Sequence, residues 1–381
     1  MKVNFEQGPI RPPHETKSLL IRVTRNCHWN KCLFCPTYKD KEFNIRSIEE
    51  VIEDLHEIKE GENKIRNFAV DKFGSSEITM EVVEEIQRKH PGLSKLALWL
   101  YGGAKRVFLQ DSDNLIMDTD DLHQIITTIK EFFPGVKGIS TYSKSRTIAS
   151  KSLEELKKLK SAGLTEVHIG LETGHDKLLE YVNKGATSEE HIEGGKKAIE
   201  AGLILCEYVI LGLGGREWSR DHILDTAKVL NSINPHFIRI RTLGLRDGVP
   251  LLQKVTDGNL TLQGDDKILL EERLLLTSLN VDSYVISDHI LNLLEEVEGK
   301  LPEDKEKMIA KIDEYFELSK EDRDNFCIGR RLGLYGSLKD LKNKSLYKKV
   351  EIVKNKLDNQ GRVEELFLNN YRGKYNELTV L

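Results

Sequence analysis

Six β-rich apolar runs alternate with amphipathic helical stretches between residues 19 and 243, and this rhythm leaves few folds open to the chain. Parallel strands cannot be joined by tight turns and need long, usually helical, crossovers, so the alternation predicts an α/β fold with a parallel sheet. The predicted strands are 19–25, 106–111, 136–142, 166–172, 204–212 and 236–243. Ser47 with Glu50, and Ser152 with Glu155, have the spacing of capping boxes, and each pair opens an amphipathic run. Gly163 and Gly202 stand where a left-handed residue ends a helix. Residues 61–104 read as a helical insertion punctuated by Pro91 and Gly92. Beyond Pro250 the pattern turns charge-rich and helical, over 267–279, 287–294 and 304–318, with no strand evident. The predicted organisation is a parallel α/β region over 1–250 and a C-terminal helical region over 251–381 that could cover it.

At 381 residues the chain is long enough for one large α/β domain or two ordinary ones. It has no run of about 18 apolar residues and no basic-then-apolar leader, so a cytoplasmic protein without membrane insertion is expected. A net charge of −5 argues against a binder of nucleic-acid backbone, which usually carries a basic surplus.

Three of the five cysteines, Cys27, Cys32 and Cys35, fall within one short segment following the first predicted strand. Such crowding does not suit a disulfide scaffold and points to a metal site in a reducing compartment. Three thiolates spaced C-x4-C-x2-C can converge on an iron–sulfur cluster and leave one iron without a protein donor. A zinc site completed by His28 is the alternative, disfavoured because His28 directly follows Cys27 and no second close-spaced ligand pair exists. Cys206 and Cys327 lie far apart and read as small core residues.

With Trp29, Asn30 and Phe34, this loop resembles that of the radical SAM superfamily, in particular stand-alone members with a C-x-W-N-x-C-x-F-C pattern, although the usual first gap is one residue shorter. The segment with Gln110, Asp111 and Ser112 resembles the strand-two motif that holds the amino group of S-adenosylmethionine. His168 to Asp176 resembles the strand-four signature, with Glu172 at the ribose or methionine end and Thr173 in place of serine. Residues 209–215, with Gly212, resemble the strand-five glycine motif beside the adenine. The resemblance implies a partial six-stranded (β/α)6 barrel and a 4Fe–4S cluster on Cys27, Cys32 and Cys35. It also implies S-adenosylmethionine bound with Phe34 near its adenine, and a 5′-deoxyadenosyl radical that abstracts hydrogen. A one-electron donor such as flavodoxin or ferredoxin follows from the same chemistry.

Polar residues within parallel strands need a reason, because such strands are buried on both faces. Arg22, Gln110, Ser140, His168, Glu172, Glu207, Arg239 and Arg241 are read together as a polar lumen suited to a zwitterionic ligand. Arg239 and Arg241 would face a carboxylate of S-adenosylmethionine or of the substrate. Ser140 is assigned to the cofactor. The candidate catalytic groups are His168, Glu207 and His289, although His168 taken alone reads as a core histidine. The favoured substrate is a small organic molecule, since neither an auxiliary cysteine cluster nor a cobalamin-binding N-terminal domain is evident. Modification of tRNA or protein, gripped through Lys339, Lys342, Lys344, Lys348 and Lys349, and a non-enzymatic metal-binding scaffold are the alternatives.

Overall fold

The structure, a computed structural model, describes residues 3–245 and 247–359, so the last part of the expected C-terminal region, 360–381, lies outside the described residues. The chain forms two compact units, the first from 1–30, 37–169 and 193–205, the second from 31–36, 170–192 and 206–381. They interleave along the sequence and do not divide at residue 250.

In the first unit, β1 (Leu19–Arg22), β2 (Arg106–Gln110), β3 (Gly138–Ser143) and β4 (Leu164–Glu172, whose last three residues belong to the second unit) pair parallel in chain order. Val107, Leu109, Ile139, Val167 and Ile169 have no exposed surface, consistent with a sheet covered by helices. The first predicted strand stops short, because after Val23 the pair Thr24–Arg25 turns to an antiparallel partner, Asn44–Ile45.

Helix α1 (Ile48–Phe73) opens with the expected capping box: Ser47 Oγ accepts from Glu50 N at 3.2 Å, and Glu50 Oε2 accepts from Ser47 N at 3.0 Å. The helix runs unbroken through residue 61, which corrects the predicted start of an insertion there. Gly61 serves close packing instead, since a Cβ at that position would lie 2.7 Å from side-chain atoms of both Leu96 and Val3. The inserted helices are only α2 (Met80–Lys89) and α3 (Ser94–Tyr101). Next come α4 (Thr119–Phe132), α5 (Ser145–Ser150) and α6 (Leu153–Ala162), the last opened by the Ser152–Glu155 box.

The second unit holds α7 (Asp176–Tyr181), and α8 (Ser188–Glu200) begins in it. Strands β5 (Ile204–Leu211) and β6 (Phe237–Thr242) pair parallel, with α9 (Gly215–Ile233) as their crossover. Helices α10 (Pro250–Thr256) and α11 (Asp265–Ser278) follow. The expectation of helices alone beyond Pro250 is then corrected by β7 (Tyr284–Ile286), parallel to β6, and β8 (Gly299–Lys300), antiparallel to β7. The predicted helix at 287–294 is an irregular loop, because its polar groups bond to β6 instead of to a helical ladder. Asn292 Nδ2 donates to Ile240 O at 2.9 Å, and Thr242 Oγ1 donates to Asn292 Oδ1 at 3.0 Å. Helices α12 (Lys305–Glu317), α13 (Lys320–Arg331) and α14 (Lys344–Asn359) complete the unit. No helix among the described residues is long and apolar enough to cross a membrane.

Glu272 of α11 is buried, and its Oε1 has no hydrogen-bond partner among the described residues. Burial pushes its carboxyl up to about 8 from an ordinary 4.5, so it folds neutral where the unfolded chain is ionised. The folded state then binds more protons than the unfolded one between those two values, and stability falls as pH rises across that window. Glu272→Gln removes the titration. Thermal melts should show the variant gaining on the parent protein between about pH 5 and about pH 9; a pH-independent difference between the two would contradict this assignment.

Candidate functional site

In the first unit, the end of β2 organises the start of the cysteine loop. Asp111 has a left-handed backbone, φ 78°, and its fully buried carboxylate is surrounded by donors. Arg22 Nε donates to Oδ2 at 2.5 Å, Asn26 N to Oδ2 at 3.0 Å, and Tyr38 OH to Oδ1 at 2.5 Å. One side chain thus fastens the end of β1 and the two edges of the loop, and burial beside this carboxylate raises the Tyr38 pKa. Ser112 Oγ donates to Asn26 O at 3.1 Å, and the Gln110 amide exchanges hydrogen bonds with Gly8 and donates to Ile10 O. Cys27 Sγ accepts from Asn30 N at 3.4 Å, and Asn30 Nδ2 donates to Tyr38 O at 2.5 Å. Trp29 lies under Lys144 Nζ, 4.8 Å from the ring centroid. His28 Nδ1 stands 3.3 Å from Asp113 Oδ2, so the ring is turned to a buried carboxylate.

Ser140 and His168 are both engaged with buried glutamates. Ser140 Oγ donates to Glu15 Oε1 at 2.5 Å, and His168 Nε2 lies 3.1 Å from Glu166 Oε1. Both residues share the sheet face of Arg22 and Gln110, as expected, since Arg22 pairs with Gln110, Phe108 with Ser140, and Tyr142 with His168. Ser140 lies opposite Phe108, two residues before Gln110 on β2, whereas His168 lies opposite Tyr142, two residues further along β3.

In the second unit, the Cys32–Cys35 turn closes with Cys35 N donating to Cys32 O at 3.4 Å. Leu33 N donates to Val182 O at 2.8 Å, Leu251 N to Leu33 O at 2.9 Å, and Cys32 Sγ lies 3.9 Å from Lys184 O. Lys184 is a buried site residue that the sequence reading missed. Its ammonium donates to Glu172 Oε1 at 2.8 Å and lies 5.9 Å from the Phe34 ring centroid. Burial works against its charge, but the Glu172 carboxylate and the sulfurs of Cys32 and Cys35 together raise its pKa. The available signal was a lysine between two left-handed residues, Asn183 (φ 53°) and Gly185 (φ 71°), just after a strand-end motif. Glu172 is itself left-handed, φ 62°, and Gly170 leaves room for the pair: a Cβ there would lie 2.0 Å from Glu172 Oε1 and 3.0 Å from Lys184 Nζ.

Glu207 is buried with neither carboxylate oxygen bonded among the described residues, and burial raises its pKa well above normal. The register places it opposite Ile238, whereas Tyr208 faces Arg239 and Ile210 faces Arg241. Glu207 therefore occupies the other face from both arginines, which corrects the expectation of one lumen holding all three. Arg239 is paired with Asp288, and the Arg241 guanidinium stacks 4.7 Å from the Tyr208 ring centroid. His289 sits in the irregular loop rather than beside a helix start, with Nδ1 accepting from Thr242 N at 3.3 Å. Burial, helped by Arg241, lowers its pKa to about 4, so it is a neutral acceptor at physiological pH. Gly212 (φ 78°) is anchored by N donating to Glu271 Oε2 at 2.7 Å. Cys206 and Cys327 are buried, as expected, and none of the five cysteines is in a disulfide.

The profile of the Radical SAM superfamily matches residues 21–230, more than half of the chain. Among curated proteins, the chain is similar to the uncharacterized protein YtqA of Bacillus subtilis, 26% identical over 155 residues, covering 39% of this chain and 48% of that protein. It is also similar to a biotin synthase of Clostridium botulinum, 34% identical over 120 residues, covering 29% and 36% of the two chains. The chain thus spans about half or less of these relatives. Among solved structures, it is similar to the radical S-adenosylmethionine methyltransferase TsrM of Kitasatospora setae with cobalamin and a [4Fe-4S] cluster bound. The TM-score is 0.46 at 12% identity, with 92% of this chain and 65% of that one covered.

Proposed function

Since the chain belongs to the radical SAM superfamily, whose cofactors are a 4Fe–4S cluster and S-adenosylmethionine, we propose that it is an enzyme abstracting hydrogen from a small organic substrate. The observation that carries this reading is the environment of the cysteine loop. Cys32 and Cys35 lie near a buried ammonium, Lys184, which Glu172 holds and whose charge the two sulfurs help to stabilise. Cys27, Cys32 and Cys35 are the three donors for the cluster, and His28, turned to Asp113, is not a fourth. When bound, the cofactors supply a 5′-deoxyadenosyl radical able to take a hydrogen atom from an unactivated carbon.

The chain's own residues bind, orient and shield. Lys184 offers a cation to the carboxylate of S-adenosylmethionine, and Glu172 holds Lys184 in place while taking the polar end of the ligand. Phe34 and Gly212 are assigned to its adenine side. Asp111 and Ser112 act by fixing Asn26 and hence the direction in which Cys27 leaves β1, while Gln110 holds the segment at Gly8 and Ile10. Arg241, stacked on Tyr208 beside neutral His289, offers a guanidinium and an acceptor to the substrate. An electron donor of the flavodoxin or ferredoxin class would complete the system.

The substrate class is tested by incubating the cluster-loaded protein, S-adenosylmethionine and a one-electron reductant with deuterated extract separated into metabolites, lipids, RNA and protein. Deuterium is expected in 5′-deoxyadenosine from the metabolite fraction. Its appearance from the RNA or protein fraction alone would overturn the small-molecule reading.

A further inference from the structure

Where the segment Pro13–Lys17 packs against the starts of β2 to β4, two histidines and two glutamates converge: His14, Glu15, Glu166 and His168 each offer one ligand atom, all within 4.8 Å of one another. We infer that these four side chains form a binding site for a zinc-class divalent cation, separate from the cysteine loop.

Spacing is the first support. His168 Nε2 lies 3.1 Å from Glu166 Oε1, and His14 Nε2 lies 3.5 Å from Glu15 Oε1 and 3.7 Å from Glu166 Oε1. A tetrahedral ion with bonds of about 2.0 to 2.1 Å holds its ligand atoms about 3.4 Å apart, so these three separations lie near the edges of a zinc coordination shell and the remaining ones, within 4.8 Å, need only side-chain adjustment. Imidazole with carboxylate is also a donor set that suits zinc.

The surroundings are those of a built site. Arg106 Nη2 donates to Glu15 Oε1 at 2.9 Å and to Glu166 Oε2 at 2.8 Å, leaving Glu166 Oε1 toward the histidines. Ser140 holds Glu15 Oε1, and Ser18 bonds Glu15 Oε2. Outer groups that bond to carboxylate ligands are what orients them toward a metal. Two carboxylates face one guanidinium, so a divalent cation improves the charge balance where Glu15 and His168 are wholly buried. Access runs past His14, whose side chain is 31% exposed. The bound cation would pin the segment preceding β1 to β4 directly, with β2 and β3 joined through Arg106 and Ser140.

The test uses the protein with its cysteines occupied by the iron–sulfur cluster, equilibrated with zinc and desalted. About one zinc per chain is expected beside the iron, and His14→Ala should weaken its retention at least about 10-fold while melting near the parent protein without zinc. In the difference spectrum against the cobalt-free protein, cobalt in place of zinc should add ligand-field bands and no further sulfur charge-transfer band. Failure of the parent protein to retain zinc, equal retention by His14→Ala, or a sulfur band with cobalt would each overturn the inference. None of these readouts depends on cleavage of S-adenosylmethionine, so they stand apart from the proposed activity.

Discussion

Cys32→Ala is expected to strip the protein of its bound iron and reduce cleavage of S-adenosylmethionine to the background of protein-free controls, and Cys27→Ala and Cys35→Ala should do the same. A four-iron cluster with three protein thiolates does not survive loss of one, because no other thiol is close in sequence to replace it. The effect belongs to the site and not to the fold. All three cysteines are partly exposed, and substitutions of that kind usually change stability by no more than about 0.5 kcal/mol. Thermal melts of the cluster-free variants should therefore overlay the cluster-free parent. Cys206→Ala is the contrasting case: its side chain is 1% exposed in the core, and iron content should be unchanged. Iron loss in Cys206→Ala, or iron retention in Cys32→Ala, would contradict the ligand assignment.

Asp111→Ala should be among the most destabilising single substitutions in the first unit, by about 3 to 5 kcal/mol, the range for breaking a buried charge pair from one side. The carboxylate has no exposed surface and takes donors from Arg22, Asn26 and Tyr38 at once, so its removal takes the acceptor from an amide, a phenol and Arg22 Nε together, while Glu6 and Asn26 still hold the other guanidinium nitrogens. A second cost comes from the backbone: φ is 78°, a conformation that Asn and Asp adopt more readily than Ala. Asp111→Asn should therefore cost less than Asp111→Ala, though more than a surface change. Denaturant midpoints measured on the cluster-free protein read both effects. Parent-like midpoints in both variants would show that Asp111 does not fasten the loop.

What the sequence revealed and what it hid follow from how local each determinant is. Six strands were legible because each is a short β-rich run between helical stretches, and the boxes at Ser47 and Ser152 were legible because both partners lie three residues apart. Strands β7 and β8 were not legible: at three and two residues they carry no periodicity, and partners far along the chain decide them. The false helix at 287–294 arose because Leu291 and Leu294 imitate one apolar face, while Asn292 is claimed by the backbone of β6. Which face Glu207 shares with the arginines depends on the register between β5 and β6, which strand composition does not encode. Lys184 looked like one more loop lysine because its partner Glu172 and the nearby thiols are brought to it only by folding. His14 and Glu15 were passed over for a similar reason, lying before the first strand with no motif around them.

The central claim is that the loop of Cys27, Cys32 and Cys35 supports reductive cleavage of S-adenosylmethionine. It is tested most directly by giving the anaerobically cluster-loaded protein S-adenosylmethionine and dithionite, then quantifying 5′-deoxyadenosine and methionine. Equal amounts of the two are predicted, accumulating with time and absent from Cys32→Ala. No 5′-deoxyadenosine from a protein that carries a full cluster would contradict the account.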